Sequence, residues 1–307
     1  MTDERIYHAK AVCRWCKGRF YVAFMDGDKR QWLCETPACA ERQIAHAWLK
    51  DDPTVGTSPY LDLPTPTQVM LYECRQPNVL VGGAARGSKS HGLRWLGYKL
   101  CRQIPEFSVL LLRRTFGELK KTHLLDMSRD APRIGAVYKP GDKILEFKNN
   151  GARVTAGHCD SAKDLDIWLS TEYDLILMDE ASTFEADMIK EISARACTTK
   201  ETVKAMGGAW VRLGTNPGGE GALYIFDHYI TRKPRKSEAE HYNPENYGFI
   251  QAKVPDNPYA PEDYTETRLN VLSETRQRQL RDGDWTVFGS EFFPAWDETK
   301  HVRRFAA

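Results

Sequence analysis

The chain has 307 residues, 41% hydrophobic and 28% charged, with a formal net charge of +1. That balance fits one large or two modest globular domains and excludes a global basic field as the means of holding nucleic acid, so any basic surface must be local. No apolar run approaches the ~18 residues of a membrane-spanning helix, and Met-Thr-Asp-Glu-Arg at the start lacks the apolar core of a secretory signal.

A cytosolic setting follows, in which the eight cysteines read as thiols or metal ligands rather than disulfides. Residues 1–50 differ in character from the rest. Cys13-Arg-Trp-Cys16 is followed by Cys34-Glu-Thr-Pro-Ala-Cys39, and the segments Phe20–Phe24 and Gln31–Leu33 around Asp26-Gly27-Asp28 read as a hairpin. Two cysteine pairs joined by a hairpin meet the needs of a four-thiolate Zn²⁺ site, which closes a core too small to fold alone. Cys13, Cys16, Cys34 and Cys39 are the expected ligands of a zinc-ribbon-like module, with unrelated buried cysteines as the alternative. Four thiolates leave no open position for catalysis, so such an ion is structural. Cys74, Cys101, Cys159 and Cys197 are scattered and read as core residues.

Residues 51–66, rich in Pro, Thr, Ser and Asp, read as a linker. Gln68 follows at the start of a short amphipathic stretch. Its amide offers a donor and an acceptor, which suits the edge of adenine; a solvent-facing helix position accounts for it equally well.

The central stretch is Val79-Leu-Val-Gly-Gly-Ala-Ala-Arg-Gly-Ser-Lys-Ser90. An apolar strand breaks at Gly82 and Gly83, and Lys89 and Ser90 open a helical pattern through Leu93, Leu96 and Leu100. Strand, glycine-rich turn and Lys-Ser at a helix start form the layout of a phosphate-binding P-loop. Its backbone N–H groups, at Gly83, Ala84, Ala85, Arg86, Gly87 and Ser88, point inward at phosphate beside the positive end of the helix. In that layout Lys89 would reach the β/γ-phosphates of ATP and the Ser90 hydroxyl would hold Mg²⁺; a glycine turn before an ordinary helix is the alternative. Ser88 stands where the pattern has glycine; a serine opening a helix need not be strained.

Phe107–Leu112 reads as a strand ending in Arg113-Arg114-Thr115, and Leu119–Met127 as a helix. Residues 134–138, 144–148 and 152–157 read as strands, and Asp160–Ser170 as a helix. Tyr173-Asp-Leu-Ile-Leu-Met-Asp179-Glu180 is an apolar strand closing on two acids. In the usual P-loop layout Asp179 stands beside Mg²⁺ and Glu180 polarises the attacking water. Glu185–Ala196 reads as a helix and Ala209–Gly214 as a strand. Thr215 and Asn216 at its C-terminal end could sense the γ-phosphate, or Asn216-Pro-Gly-Gly could be simply a turn. Thr231–Ser237 is a basic loop, open to DNA phosphates or to solvent alone. Residues 247–254 read as a strand and Tyr264–Arg281 as helical. Alternating strands and helices predict an α/β, RecA/ASCE-like P-loop NTPase: a mostly parallel sheet flanked by helices, at 67–255, with a C-terminal helical subdomain at 256–307.

From Gln68 onward the order of motifs resembles the large terminase subunit of tailed bacteriophages, the motor that packages DNA into procapsids. The resemblance covers roughly residues 60–307. It rests on Gln68, the arginine-containing turn Gly-Ala-Ala-Arg-Gly-Ser-Lys-Ser90, Leu-Leu-Arg-Arg-Thr115, Leu-Met-Asp-Glu180, Gly-Thr-Asn-Pro217, Asp256-Asn-Pro258, Arg281-Asp-Gly-Asp-Trp285 and Phe292-Phe-Pro-Ala-Trp296. It implies Mg²⁺-dependent ATP hydrolysis coupled to DNA translocation. Gln68 then belongs to the adenine site, Arg86 stands beside the phosphates, and Thr215 and Asn216 couple hydrolysis to movement. The implied partners are double-stranded DNA, a portal protein, a small terminase subunit and further copies in a ring, in the cytoplasm of an infected bacterium. Arg113, Arg114, Arg195 and Arg212 are candidates for an arginine reaching a neighbour's site. Family members continue into a nuclease, and none is assigned to this chain. Competing functions are a helicase- or recombination-type ATPase, and a non-hydrolysing zinc-containing docking module.

Overall fold

The computed structural model describes residues 64–257, 261 and 263–287, together with the backbone of three strands near the N-terminus. Those strands, β1 (Tyr7–Val12), β2 (Arg19–Asp26) and β3 (Lys29–Cys34), form an antiparallel sheet in the order β1-β2-β3. The expected hairpin is β2 with β3, pairing Tyr21 with Leu33 and Asp26 with Lys29. The expected zinc ligands Cys13, Cys16 and Cys39 lie outside the described residues, and of Cys34 only the backbone is described. The tail motif 292–296 lies outside them too.

The main sheet has eight strands: β4 (Asn78–Gly83), β5 (Ser108–Arg113), β6 (Val137–Lys139), β7 (Ile144–Phe147), β8 (Ala152–His158), β9 (Leu175–Asp179), β10 (Trp210–Thr215) and β11 (Tyr247–Ala252). Their order is β11-β4-β10-β9-β5-β8-β7-β6. The first six run parallel, and β7 and β6 add an antiparallel edge. Because β10 lies between β4 and β9, the strand entering the glycine turn and the strand ending in Asp179 both deliver their C-terminal ends beside the end of β10. Ligands of open α/β sheets bind at that edge.

Burial on both faces explains why the central strands are unbroken apolar runs rather than alternating ones. Side chains still alternate by period 2. Val79, Val81, Val109, Leu111, Leu175 and Leu177 enter one core, and Leu80, Leu110, Leu112, Ile176 and Met178 enter the other. The first core is closed by α1 (Pro66–Glu73), α2 (Lys89–Gln103), α3 (Phe116–Leu119) and α4 (Leu125–Asp130). The second is closed by α5 (Ala162–Leu169) and α6 (Ala186–Ser193).

Three sequence expectations shift for local reasons. The expected linker runs to residue 66, yet α1 begins at Pro66. Thr65 Oγ1 accepts from the Gln68 N–H at 3.3 Å and Gln68 Oε1 accepts from the Thr65 N–H at 3.0 Å, a reciprocal cap with proline at the first helical position. The strand expected from 134 starts only at Val137, because a 3₁₀ turn over Ala131–Ile134 closes on Gly135 at φ 69°. The helix expected over Tyr264–Arg281 is interrupted at 270–273, where Ser273 caps a new start: Thr265–Leu269 precedes the break, and Glu274–Gln277 runs directly into a π turn over Arg278–Asp282.

Candidate nucleotide site

At the C-terminal end of β4 the chain turns sharply. Gly83 has φ +137°, and a Cβ there would stand 2.3 Å from the Ala252 carbonyl, so only glycine fits. Ala84 and Ala85 donate their N–H groups to the carbonyls of Ala252 (2.8 Å) and Leu280 (2.7 Å), which pins the start of the turn. Further along, the first N–H groups of α2 have no acceptor within the helix and face the cleft.

Arg86 and Ser88 both adopt the left-handed region, at φ 58° and 57°. This corrects the expectation that a serine at 88 is unstrained: its hydroxyl meets Thr65 Oγ1 at 3.1 Å instead of capping α2. The glycine of the sequence pattern is there for that φ.

Residues 85–91, Glu180, Asn216 and Tyr264 line a cleft of about 290 Å³. Lys89 Nζ donates to the Ala84 carbonyl at 2.6 Å and to Asn216 Oδ1 at 2.7 Å. Burial pulls the Lys89 ammonium down to about 8, against the opposing charges of Glu180 and Asp179. Ser90 Oγ donates to Asp179 Oδ1 at 3.0 Å. The other oxygen of Asp179 accepts from His123 Nε2 and from Arg113 Nη1, both at 2.9 Å. Burial alone would raise the Asp179 carboxyl; the His123 hydrogen bond, the Arg113 charge and the Ser90 hydroxyl outweigh it and hold it near about 2.

Glu180, at φ 53°, turns out of the end of β9 into the cleft. Burial and the neighbouring Asp179 raise its carboxyl, with Lys89 and Arg113 opposing. Thr215 is fully buried, its hydroxyl 2.7 Å from Ser182 Oγ, and Ser182 Oγ also donates to the Asn216 carbonyl at 3.2 Å. The turn after Glu180 and the end of β10 are therefore one hydrogen-bonded unit. Asn216 belongs to that unit and touches Lys89.

The sequence-predicted residues thus divide. Ala85, Arg86, Gly87, Ser88, Lys89, Ser90, Glu180 and Asn216 gather around the cleft. Asp179 stands directly behind Ser90. Gly83, Ala84 and Thr215 shape the surrounding backbone without lining it. Gln68 sits behind the turn: besides its cap to Thr65, its Nε2 donates to the Ser88 carbonyl at 3.2 Å and approaches His91 Nδ1 at 3.1 Å. Arg86 is exposed, its guanidinium over the Tyr264 ring at 5.3 Å.

All four arginine candidates bond within their own chain. Arg113 is bound to Asp179, Arg114 donates to the Cys159 carbonyl at 3.0 Å, Arg195 donates to the Leu169 carbonyl at 3.2 Å, and Arg212, at 0% exposure, donates to the carbonyls of Cys74, Gln76 and Pro77. Sequence reading missed His91, His123, Ser182 and Tyr264. His91 follows the Lys-Ser pair directly and was open to notice. His123 sits in a helix with no motif around it, and nothing in the sequence points from it to Asp179.

No family profile matches the chain, and no curated protein does. Among solved structures it is similar to the large terminase of a thermophilic bacteriophage, at 14% identity and TM-score 0.58, over 74% of this chain and 54% of that one. The same phage's large terminase in complex with ATP-gamma-S aligns at 13% identity and TM-score 0.52, over 72% and 52%. The large terminase ATPase domain of Thermus phage P74-26 aligns at 12% identity and TM-score 0.54, over 74% of this chain and 95% of that domain. The fold is that of a phage large-terminase ATPase domain. The chain spans about half the length of the thermophilic-phage terminase and nearly all of the P74-26 domain.

Proposed function

We propose that the chain is the ATP-hydrolysing motor domain of a viral DNA-packaging machine. One observation carries the reading: Lys89, Ser90, Glu180 and Asn216, contributed by three separate strand ends, converge on one cleft at the C-terminal edge of a terminase-like sheet. ATP binds with its phosphates over the turn, and Lys89 exchanges its contact with Ala84 or Asn216 for phosphate oxygens. The Ser90 hydroxyl and Asp179 carboxylate, 3.0 Å apart, are hard oxygen donors of the kind Mg²⁺ accepts alongside water and phosphate. When bound there, the ion neutralises phosphate charge. Arg113 and His123 fix the Asp179 carboxylate from behind. Glu180 orients a water and takes its proton; its raised carboxyl makes it a stronger base than an ordinary glutamate. Asn216 senses whether Lys89 is engaged and relays that through Ser182 and Thr215.

Double-stranded DNA, a portal, a small subunit and a ring of copies in the host cytoplasm belong to this reading, as does a structural Zn²⁺ on Cys13, Cys16, Cys34 and Cys39. The test is ATP hydrolysis with and without duplex DNA. Wild type should hydrolyse ATP, faster with DNA. Glu180→Gln should bind nucleotide near normally and lose on the order of 10²-fold in single-turnover hydrolysis, whereas Lys89→Ala should weaken binding as well. A folded Glu180→Gln protein with wild-type turnover would remove Glu180 from the mechanism. Absence of nucleotide binding in wild type would remove the whole reading.

A further inference from the structure

The orientation of the Gln68 amide is settled by backbone groups at both ends. Its Oε1 takes the Thr65 N–H at 3.0 Å, a group that only donates, and its Nε2 approaches the Ser88 carbonyl at 3.2 Å, a group that only accepts. The same Nε2 lies 3.1 Å from His91 Nδ1. An amide N–H can only donate, so His91 Nδ1 has to accept and carries no hydrogen. A neutral imidazole with a bare Nδ1 has its hydrogen on Nε2.

Among the described residues His91 Nε2 takes no hydrogen bond, while the ring itself lines the cleft and is backed by Trp95 at 5.6 Å between centroids. His91 is in the first turn of α2, where the helix favours anions. A buried amide, capped into its own helix, therefore fixes the hydrogen on the unengaged ring nitrogen of a residue that lines the cleft.

We infer that His91 is a nucleotide-binding residue whose Nε2–H donates to a phosphate oxygen. Gln68 is its positioning residue and fixes the tautomer from behind. This rests on the cleft being a nucleotide site, and it gives Gln68 a task different from contact with adenine. A substitution at 68 acts on the nucleotide through the ring of His91.

The test uses the full chain, labelled with ¹⁵N, and a non-hydrolysable ATP analogue with Mg²⁺. In wild type without nucleotide, the His91 ring resonances should show the Nε2–H tautomer, and the Nε2 signal should shift when the analogue is added. In Gln68→Ala the ring should become a mixture of tautomers, a change that a merely structural role for Gln68 would not produce. His91→Phe keeps a ring against Trp95 and removes the donor; its Kd for the analogue should rise about tenfold or more, the loss of one charge-assisted hydrogen bond, with the melting temperature close to wild type. An Nδ1–H or doubly protonated ring in wild type overturns the inference. So does a His91→Phe protein that binds within twofold of wild type. In both cases wild-type binding leaves the nucleotide reading standing. A wild type that does not bind the analogue at all overturns the two together.

Discussion

At the scale of single residues, the site is built from conformations that side chains ordinarily avoid. Arg86, Ser88 and Glu180 all have φ between 53° and 58°. A left-handed non-glycine residue costs roughly 1–2 kcal/mol, and such outliers cluster where function over-determines the backbone. At Ser88 the magnitudes nearly cancel. Glycine would remove that strain, yet it would forgo the hydrogen bond to Thr65 and add chain entropy, together about 1–2 kcal/mol. A serine can therefore hold the place. Lys89 gives a sharper prediction. An unfolded lysine keeps its proton until its ordinary value of 10.5, whereas burial makes the folded one release it near about 8. Between those values the unfolded chain holds more protons, so stability should climb as pH rises. The full gain is bounded at about 3 kcal/mol. Lys89→Met removes the titration, so melting curves of nucleotide-free wild type and variant, taken between pH 8 and 10.5, should converge or cross in favour of wild type. Parallel curves would mean that the folded ammonium is not destabilised.

At the scale of elements, α3 and α4 are joined by a π turn over Lys120–Leu124, and that extra residue per turn rotates His123 inward to full burial beside Asp179. Behind it lies Arg94 of α2, with Nη2 at 2.8 Å from Asp126 and Nε at 3.2 Å from Asp130. Breaking a buried pair by removing one partner strands the other charge, at a cost of 3–5 kcal/mol in general. Asp126 remains to hold Arg94, so Asp130→Ala should cost about 3 kcal/mol, at the low end of that range, read from urea unfolding. A loss within 0.5 kcal/mol, the size of an ordinary surface change, would show that Asp126 suffices. The same elements show what the sequence reveals and what it hides. The strands at 79–81, 107–112 and 175–179 were legible because burial on both faces leaves continuous apolar runs. The glycine turn and the paired acids stood out because each closes an apolar run with residue types that a strand interior does not carry, and the structure puts both at the C-terminal edge of the sheet. His123 was not, since a lone histidine gains its meaning from a π turn and from a carboxylate far along the chain. The place of Gln68 was hidden for a similar reason: whether a helical amide faces solvent, adenine or another side chain depends on how α1 packs against α2. The φ of Ser88 was hidden too, because the residue type argued for one backbone and the turn imposed another.

At the scale of the whole molecule, the C-terminal segment is the far wall of the glycine turn. The Leu280 carbonyl accepts from the Ala85 N–H, the Asn257 side chain donates to the Arg86 carbonyl at 2.6 Å, and Gln279 lies against Gly218 beside Asn216. Trp285, 5% exposed, lies so close over Gly82 that a Cβ there would come within 2.7 Å of its ring. Residues 263–287 thus touch both the glycine turn and the loop after β10, two of the elements that form the cleft. Rigid packing of this kind transmits displacement, because a close-packed contact cannot yield without moving its neighbour. Trp285→Ala removes the ring while leaving every group that faces the cleft in place. The expected result is a stability loss of about 3–5 kcal/mol, as for a large aromatic leaving a core, together with faster hydrogen exchange at Ala84 and Ala85 and weaker nucleotide binding. Trp285→Phe, which keeps most of the contact, should restore exchange and binding before it restores all of the stability. If Trp285→Ala lowers stability but leaves exchange at Ala84 and Ala85 and nucleotide affinity unchanged, the segment is only a structural cover. Movement of this segment in the proposed motor would then need another route from the cleft to it.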